Sequence, residues 1–248
     1  MGQNRRAIIG NTVLPYDTLE STNALGKKMA WDGAREGTVI RARIQTKGRG
    51  RKERAWHSPP GGLWFSVILR PDLEPDSAML ATMAASVSIH RAVKDICHLD
   101  TIIKWPNDVL LNDKKVAGVL TELHGEKGRI EYMVMGIGIN VNNDLPEDLE
   151  STATSLRNAG GEEVDLEVLF HHLLATMDQI YSLIKEDRHS EIRKMWLDST
   201  NIVGKKVRLT ETHPCREGLV TGIDQKGRLL LDFDGTQEVL ISGDIEIL

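Results

Sequence analysis

The chain has 248 residues, 40% of them hydrophobic and 4% aromatic, with a formal net charge of −5. That length supports one sizeable core, or a large domain with a small one, and the acidic balance argues against a general nucleic-acid binder, whose footprint is basic. The two cysteines, Cys97 and Cys215, have no metal-ligand spacing, and no run reaches transmembrane length or resembles a signal peptide, so a reduced, cytoplasmic protein is expected.

Residues 7–20 alternate weakly and then meet Pro15, which predicts a short edge strand or hairpin. Ser21 is the expected N-cap of a helix to about Ala30, with Leu25 and Met29 at helical spacing. Residues 37–46 read as a strand with Gln45 at its end, and residues 63–69 as another. Between them glycine alternates with cations: Lys47, Gly48, Arg49, Gly50, Arg51, Lys52, then Arg54, Trp56 and a Pro-Pro-Gly-Gly corner. Glycine permits close backbone approach, and arginine offers forked donors to carboxylate or phosphate. The loop therefore reads either as an anion clamp or as a basic patch for RNA; it is not a Walker-type phosphate loop. Its five cations repel one another, which predicts a loop that stays mobile until an anion orders it.

A helix is expected over about 77–97, with His90 and His98 as ordinary helix residues. Ile102 and Ile103 start a strand that breaks at 104–108, where Pro106 cannot donate to a ladder, and resumes at 109–111. A turn at 112–114 leads to a returning strand over 116–123. This bend exposes Asn107 and Asp108 and sets Lys115 and Gly118 at the start of the return. A strand at 130–134 runs into Gly136, Gly138 and Asn140, a Gly-x-Gly without the helix and acidic residue of a dinucleotide fold. Residues 143–164 read as a long loop with a short strand or turn near 154–156. From Asp165 apolar residues recur at helical spacing to Ile184, with His171 and His172 beside that stripe as structural residues. A second helix is expected at about 190–197. From Asn201 about four short β segments (206–210, 218–223, 229–233 and 238–241) suggest a small β-barrel beyond a boundary near 199.

In combination these stretches resemble the biotin–protein ligases. The family's G-R-G-R-x-x-R-x-W-x-S element matches Gly48, Arg49, Gly50, Arg51, Arg54, Trp56 and Ser58; its K-W-P-N-D matches 104–108; its K-[LV]-A-G-x-L-x-E matches 115–122; and its G-x-G-I-N matches 136–140. Ser21, Thr22, Asn23 and Gln45 also fall where the family carries them, and 222–231 looks like its small SH3-like domain. The resemblance implies an α+β fold: a mixed β-sheet catalytic domain over 1–199 with helices packed on one face, and an SH3-like β-barrel over 200–248.

It also implies a reaction. Biotin's carboxylate attacks the α-phosphate of ATP, carried with Mg²⁺, to give biotinyl-5′-AMP, and a lysine of a biotin carboxyl-carrier domain then takes the biotinyl group. By resemblance Lys115, Arg49 and Arg51 are the catalytic cations, Gly48 and Gly50 offer backbone donors, and no residue is a dedicated metal ligand. Ser21, Thr22, Asn23, Gln45, Gly48, Arg49, Gly50, Arg51, Arg54, Trp56, Lys115 and Gly118 face biotin, with Asn107, Asp108, Gly136, Gly138 and Asn140 on the ATP side. Three departures stand out. Twenty residues before Ser21 leave no room for the N-terminal helix-turn-helix of repressor-type members, so no specific DNA binding is expected. No Trp lies between Ser151 and Leu156 to stack on adenine, and Glu53 stands where many members have Gly. A lipoate–protein ligase would share the core fold, but the intact G-R-G-R and K-W-P-N-D elements argue against it. An RNA-binding protein would account for 47–54 but not for 104–118. The oligomeric state stays open, with a homodimer among the alternatives.

Overall fold

Strand β3 (Leu63–Leu69) is buried at every position, as a run apolar but for Ser66 must be when both faces of its sheet are covered. The structure, a computed structural model, describes residues 7–126, 128–210 and 215–248; the charged N-terminal residues 1–6 lie outside them. β3 is an interior strand of a seven-stranded sheet of order β1-β2-β3-β7-β6-β5-β4, with β1 (Thr12–Leu19), β2 (Thr38–Gln45), β4 (Ile102–Lys104), β5 (Asp108–Leu111), β6 (Lys114–Glu126) and β7 (Arg129–Ile139). β1 pairs parallel to β2 and all other ladders are antiparallel. Pro15 is tolerated because β1 is an edge strand.

Among the described residues five α-helices complete the main unit: α1 (Thr22–Trp31), α2 (Met79–Cys97), α3 (Leu156–Gly160), α4 (Leu166–Lys185) and α5 (His189–Asp198). α2, α4 and α5 cover one face, with Phe65, Val67, Met83, Phe170 and Trp196 in one apolar cluster. α1 lies on the opposite face, with Ala30 against Ile40, Ile68 and Val134. Gly26 permits that approach, since a Cβ there would stand 2.9 Å from Val134 Cγ1. The long helices thus share one face, as expected, while α1 alone takes the other. Where a strand or turn was expected near 154–156, Ser155 instead caps α3, its Oγ accepting from Asn158 N at 3.2 Å.

Residues 108–111 do not resume the strand at 102–104. They pair back on it antiparallel, with Lys104 opposite Asp108 across the cis Trp105–Pro106 bond. Trp105 is buried, and its Nε1 donates to Gly227 O at 3.3 Å. That contact belongs to a second sheet of order β11-β10-β9-β8-β12, comprising β8 (Lys206–Leu209), β9 (Arg216–Ile223), β10 (Leu229–Phe233), β11 (Thr236–Leu240) and β12 (Ile245–Ile247). It is antiparallel throughout, and among the described residues no ladder joins β11 to β12, so the sheet is open rather than a closed barrel. Its fifth strand has only three residues, too few for an alternation to be read. Val207, Val220, Leu229 and Leu231 join the main core. No helix among the described residues is long and apolar enough to cross a membrane.

Candidate active site

A cavity of about 510 Å³ opens beside the N-terminus of α1, on the α1 face of the sheet. Its floor is made of glycine. Gly118 of β6 and Gly138 of β7 are cross-strand neighbours, and Trp56 lies over both. A Cβ on Gly138 would stand 2.5 Å from Trp56 Nε1, and one on Gly118 3.4 Å from Cζ3. Gly136 clears the same way for Asn23, whose amide a Cβ would strike. The Gly-x-Gly of β7 is thus a platform for side chains, two residues apart because alternate strand positions share a face. Trp56 packs edge-on to Trp64, and its buried Nε1 has no hydrogen-bond partner among the described residues.

One end of the cavity is polar and uncharged. Ser21 caps α1, accepting from Ala24 N at 3.4 Å. Thr22 donates both its N–H (2.8 Å) and its hydroxyl (3.0 Å) to Gln45 Oε1, and Gln45 Nε2 donates to Ser58 Oγ at 2.9 Å. Asn23 donates to Leu120 O and to Glu122 Oε2. Burial is the largest influence on Glu122 and raises its pKa, but hydrogen bonds from Lys27 and Asn23 and the charges of Lys27 and Arg49 outweigh it and hold the carboxyl below its usual range.

The opposite wall is cationic. Arg51 donates to Asn107 Oδ1 at 3.1 Å and to Gly243 O at 3.2 Å. Arg49 lies 3.3 Å from Glu53, and Lys47 lies 2.9 Å from Glu20. Asp244, at the start of the C-terminal edge, approaches Arg54 at 2.6 Å and both Arg51 and Lys52 at 3.5 Å. Burial is the largest influence on Asp244 and raises its pKa, yet the Arg54, Lys52 and Arg51 charges carry it below its usual value. Lys52 and Glu53 both adopt positive φ, at 56° and 57°. The repulsion expected within the loop is offset by these carboxylates: Glu20 faces Lys47, Glu53 faces Arg49, and Asp244 ties Arg51, Lys52 and Arg54 to the C-terminal sheet.

Lys115 Nζ is 2.6 Å from Asp108 Oδ1, an ion pair without hydrogen-bond alignment, and 5.1 Å from the Trp56 ring centroid. The backbone of Lys115 is clamped by 152–154: its N–H donates to Thr152 O at 2.9 Å and its carbonyl accepts from Thr154 N at 3.0 Å. This carries Leu145, Leu149, Ser151, Thr152 and Ala153 into the lining. Asn107 Nδ2 donates to Val119 O at 2.7 Å, and Asn140 Oδ1 accepts from Asn143 at 3.2 Å.

Ser21, Thr22, Asn23, Gln45, Arg49, Gly50, Arg51, Arg54, Trp56, Asn107, Asp108, Lys115, Gly118, Gly136, Gly138 and Asn140 all line this one cavity. Gly48 does not: a Cβ there would strike Trp56 O, so its glycine serves loop packing rather than ligand contact. The Gly50 N–H is spent inside the loop, on Arg54 O at 2.8 Å. Asp244 and the 145–153 rim were not read from sequence; a lone aspartate nearly two hundred residues from its partners leaves no local signal.

Residues 16–140 match the biotin/lipoate A/B protein ligase family, and residues 202–248 match the biotin protein ligase C-terminal domain. The chain is 36% identical over 244 residues to the bifunctional ligase/repressor BirA of Bacillus subtilis, covering 97% of this chain and 75% of that protein. It is 28% identical over 232 residues to the biotin–[acetyl-CoA-carboxylase] ligase of Paracoccus denitrificans, covering 91% and 96%. Among solved structures, the biotin protein ligase from Aquifex aeolicus in complex with biotin and ATP aligns with a TM-score of 0.81 at 28% identity, covering 96% of this chain and 99% of that one.

Proposed function

Because the chain belongs to the biotin/lipoate A/B protein ligase family, we propose for it the two-step attachment of biotin to protein. It is an ATP-dependent biotin–protein ligase. A biotin carboxylate oxygen attacks the α-phosphorus of ATP, forming biotinyl-5′-AMP and expelling pyrophosphate. A lysine ε-amine of a carrier domain then attacks the acyl carbon of that mixed anhydride and expels AMP.

One observation carries the assignment of roles: a single cavity joins an uncharged hydrogen-bonding corner to a cationic wall across a glycine floor. The corner of Ser21, Thr22 and Gln45 suits a ureido ring, which has N–H donors and a carbonyl acceptor. Lipoate has neither, so the bonding capacity that these side chains do not spend on one another would go unfilled, a penalty that discriminates against it. The first step drives one anion against another. At about 4 Å and an effective dielectric near 20 that repulsion is on the order of 4 kcal/mol. Lys115, Arg49 and Arg51 offset it as electrostatic donors, and no nucleophilic side chain is needed. Arg51 and Arg54, held by Asp244 without ligand, turn toward the polyphosphate when it binds. Trp56 covers the ligand, and Leu145 and Leu149 offer the adenine an apolar face in place of a Trp.

Mg²⁺ bound with ATP fits the donors present. Among the described residues no group of three His, Cys, Asp or Glu side chains could cage a metal, but Mg²⁺ commonly rests on one carboxylate plus phosphate oxygens. Asp108 would supply that carboxylate, and the ion would neutralise charge on the leaving pyrophosphate.

The acceptor is a biotin carboxyl-carrier domain, the protein acts in the cytoplasm, and the two domains divide at 199/200. The test is pyrophosphate release from ATP with biotin or lipoate, followed by transfer to a purified carrier. Release without biotin, or a preference for lipoate, would sink the reading.

A further inference from the structure

Ser66 sits mid-strand in β3, fully buried between Trp64 and Ile68 on the face that α1 covers, and does not itself line the cavity. A hydroxyl there must find partners, since a buried polar group without them is costly. Its Oγ stands 2.7 Å from Thr22 Oγ1 and 2.6 Å from Asn23 Oδ1, and its one proton serves both acceptors.

The neighbouring protons are already committed. The Thr22 hydroxyl donates to Gln45 Oε1, and both Asn23 amide protons go to Leu120 O and Glu122 Oε2. Gln45 cannot turn round, because its Nε2 donates to Ser58 Oγ, whose own proton goes to Trp56 O at 3.1 Å. The hydroxyl protons of Ser66, Thr22 and Ser58, both amide protons of Asn23 and one of Gln45 therefore point into the protein. A hydroxyl has one proton and two lone pairs. Thr22 spends its proton on Gln45 and one lone pair on Ser66, so what it turns to the cavity is an acceptor.

We infer that Ser66 is a positioning residue for the ligation: it holds the Thr22 hydroxyl so that an acceptor faces the cavity, where it receives a ureido N–H of biotin. This rests on the reading of the cavity as the biotin site. Without Ser66, Asn23 Oδ1 loses its donor, the Asn23 amide is free to turn over, and the Thr22 hydroxyl loses its fixed direction.

The test uses the full chain and four variants: Ser66→Ala, Ser66→Cys, Thr22→Val and Ser66→Ala with Thr22→Val. Cysteine keeps nearly the serine shape with only a weak donor, so it carries the test where alanine fails to fold. Biotin affinity is read by calorimetry, and KM for ATP from pyrophosphate release. Both Ser66 variants are expected to weaken biotin about 10-fold, the scale of one hydrogen bond to a buried partner, with the ATP KM within about twofold of wild type. Adding Ser66→Ala to Thr22→Val should cost less than about threefold more, because the group that Ser66 orients is already gone. Wild-type biotin affinity in both Ser66 variants, or a double variant whose losses multiply, would overturn the inference. So would equal losses for biotin and ATP accompanied by a fall in Tm, which is what a purely structural serine would give. A wild-type chain that binds no biotin would overturn the site assignment itself.

Discussion

Replacing Lys115 by methionine keeps the length of the stem over Trp56 and removes only the charge. The Nζ lies 2.6 Å from Asp108 and borders the cavity, with 31% of the side chain exposed. A full unit charge about 4 Å from the developing negative charge is worth roughly 4 kcal/mol at an effective dielectric of 20. Screening through the exposed part of the side chain brings this to roughly half, or about 2–3 kcal/mol. That corresponds to ~10²-fold in the rate of adenylate formation, matching the loss of a single key electrostatic donor. Biotin affinity should fall less than the rate, because the ureido corner is untouched. Arg49→Ala should behave oppositely, weakening biotin retention more than the chemical step, since Arg49 belongs to a loop and pairs with Glu53 of the same loop, whereas Lys115 is held in a strand paired to Leu110 and clamped by 152–154. Single-turnover pyrophosphate release with biotin affinity measured separately decides between them. Wild-type turnover in Lys115→Met would remove Lys115 from the mechanism.

Asp244→Asn should release the cationic loop, so that trypsin cuts between Arg49 and Arg54 faster than in the wild type. The stability gap between the two proteins in urea should be at most about 1 kcal/mol, given how exposed Arg54 is. Because the folded Asp244 carboxyl lies below its ordinary 3.8, the gap should be full above about pH 4 and close as pH falls through the lowered value. A gap that widens on acidification would show the reasoning to be wrong. Glu53→Gly relieves a positive φ worth about 1 kcal/mol and frees Arg49; unfolding should shift little and biotin should bind more tightly, whereas weaker binding would mean that Glu53 aids the ligand. Burial pushes the Cys97 thiol up to about 11, while Cys215 is exposed. At pH 8 a thiol reagent should modify Cys215 first and leave activity intact; loss of activity on that first modification would contradict the noncatalytic reading of both cysteines.

The amino-acid sequence by itself determined what depends on neighbours a few positions apart. The apolar spacing after Asp165 specifies α4, Ser21 caps α1, and Asn112 with Asp113 turns β5 into β6, because caps, helix faces and tight turns are set within one or two turns of chain. The motif residues were legible too, since glycine and arginine in that alternation restrict the chemistry before any fold is known. What only the tertiary structure decided depends on register and docking. Gly118 and Gly138 form a floor because β6 and β7 pair at that register, and Gly48 leaves the cavity because Trp56 folds back on it. The reversal at Trp105 places Lys104 opposite Asp108, where a bend in a continuing strand was equally consistent with Pro106. The counter-charge of Arg51, Lys52 and Arg54 comes from Asp244, and the partner of the Thr22 hydroxyl is Ser66; neither carboxylate nor serine lies near its partner in sequence. Electrostatic and hydrogen-bond partners act through space, over a few ångströms, and the chain brings them together only once its sheets have closed on their core.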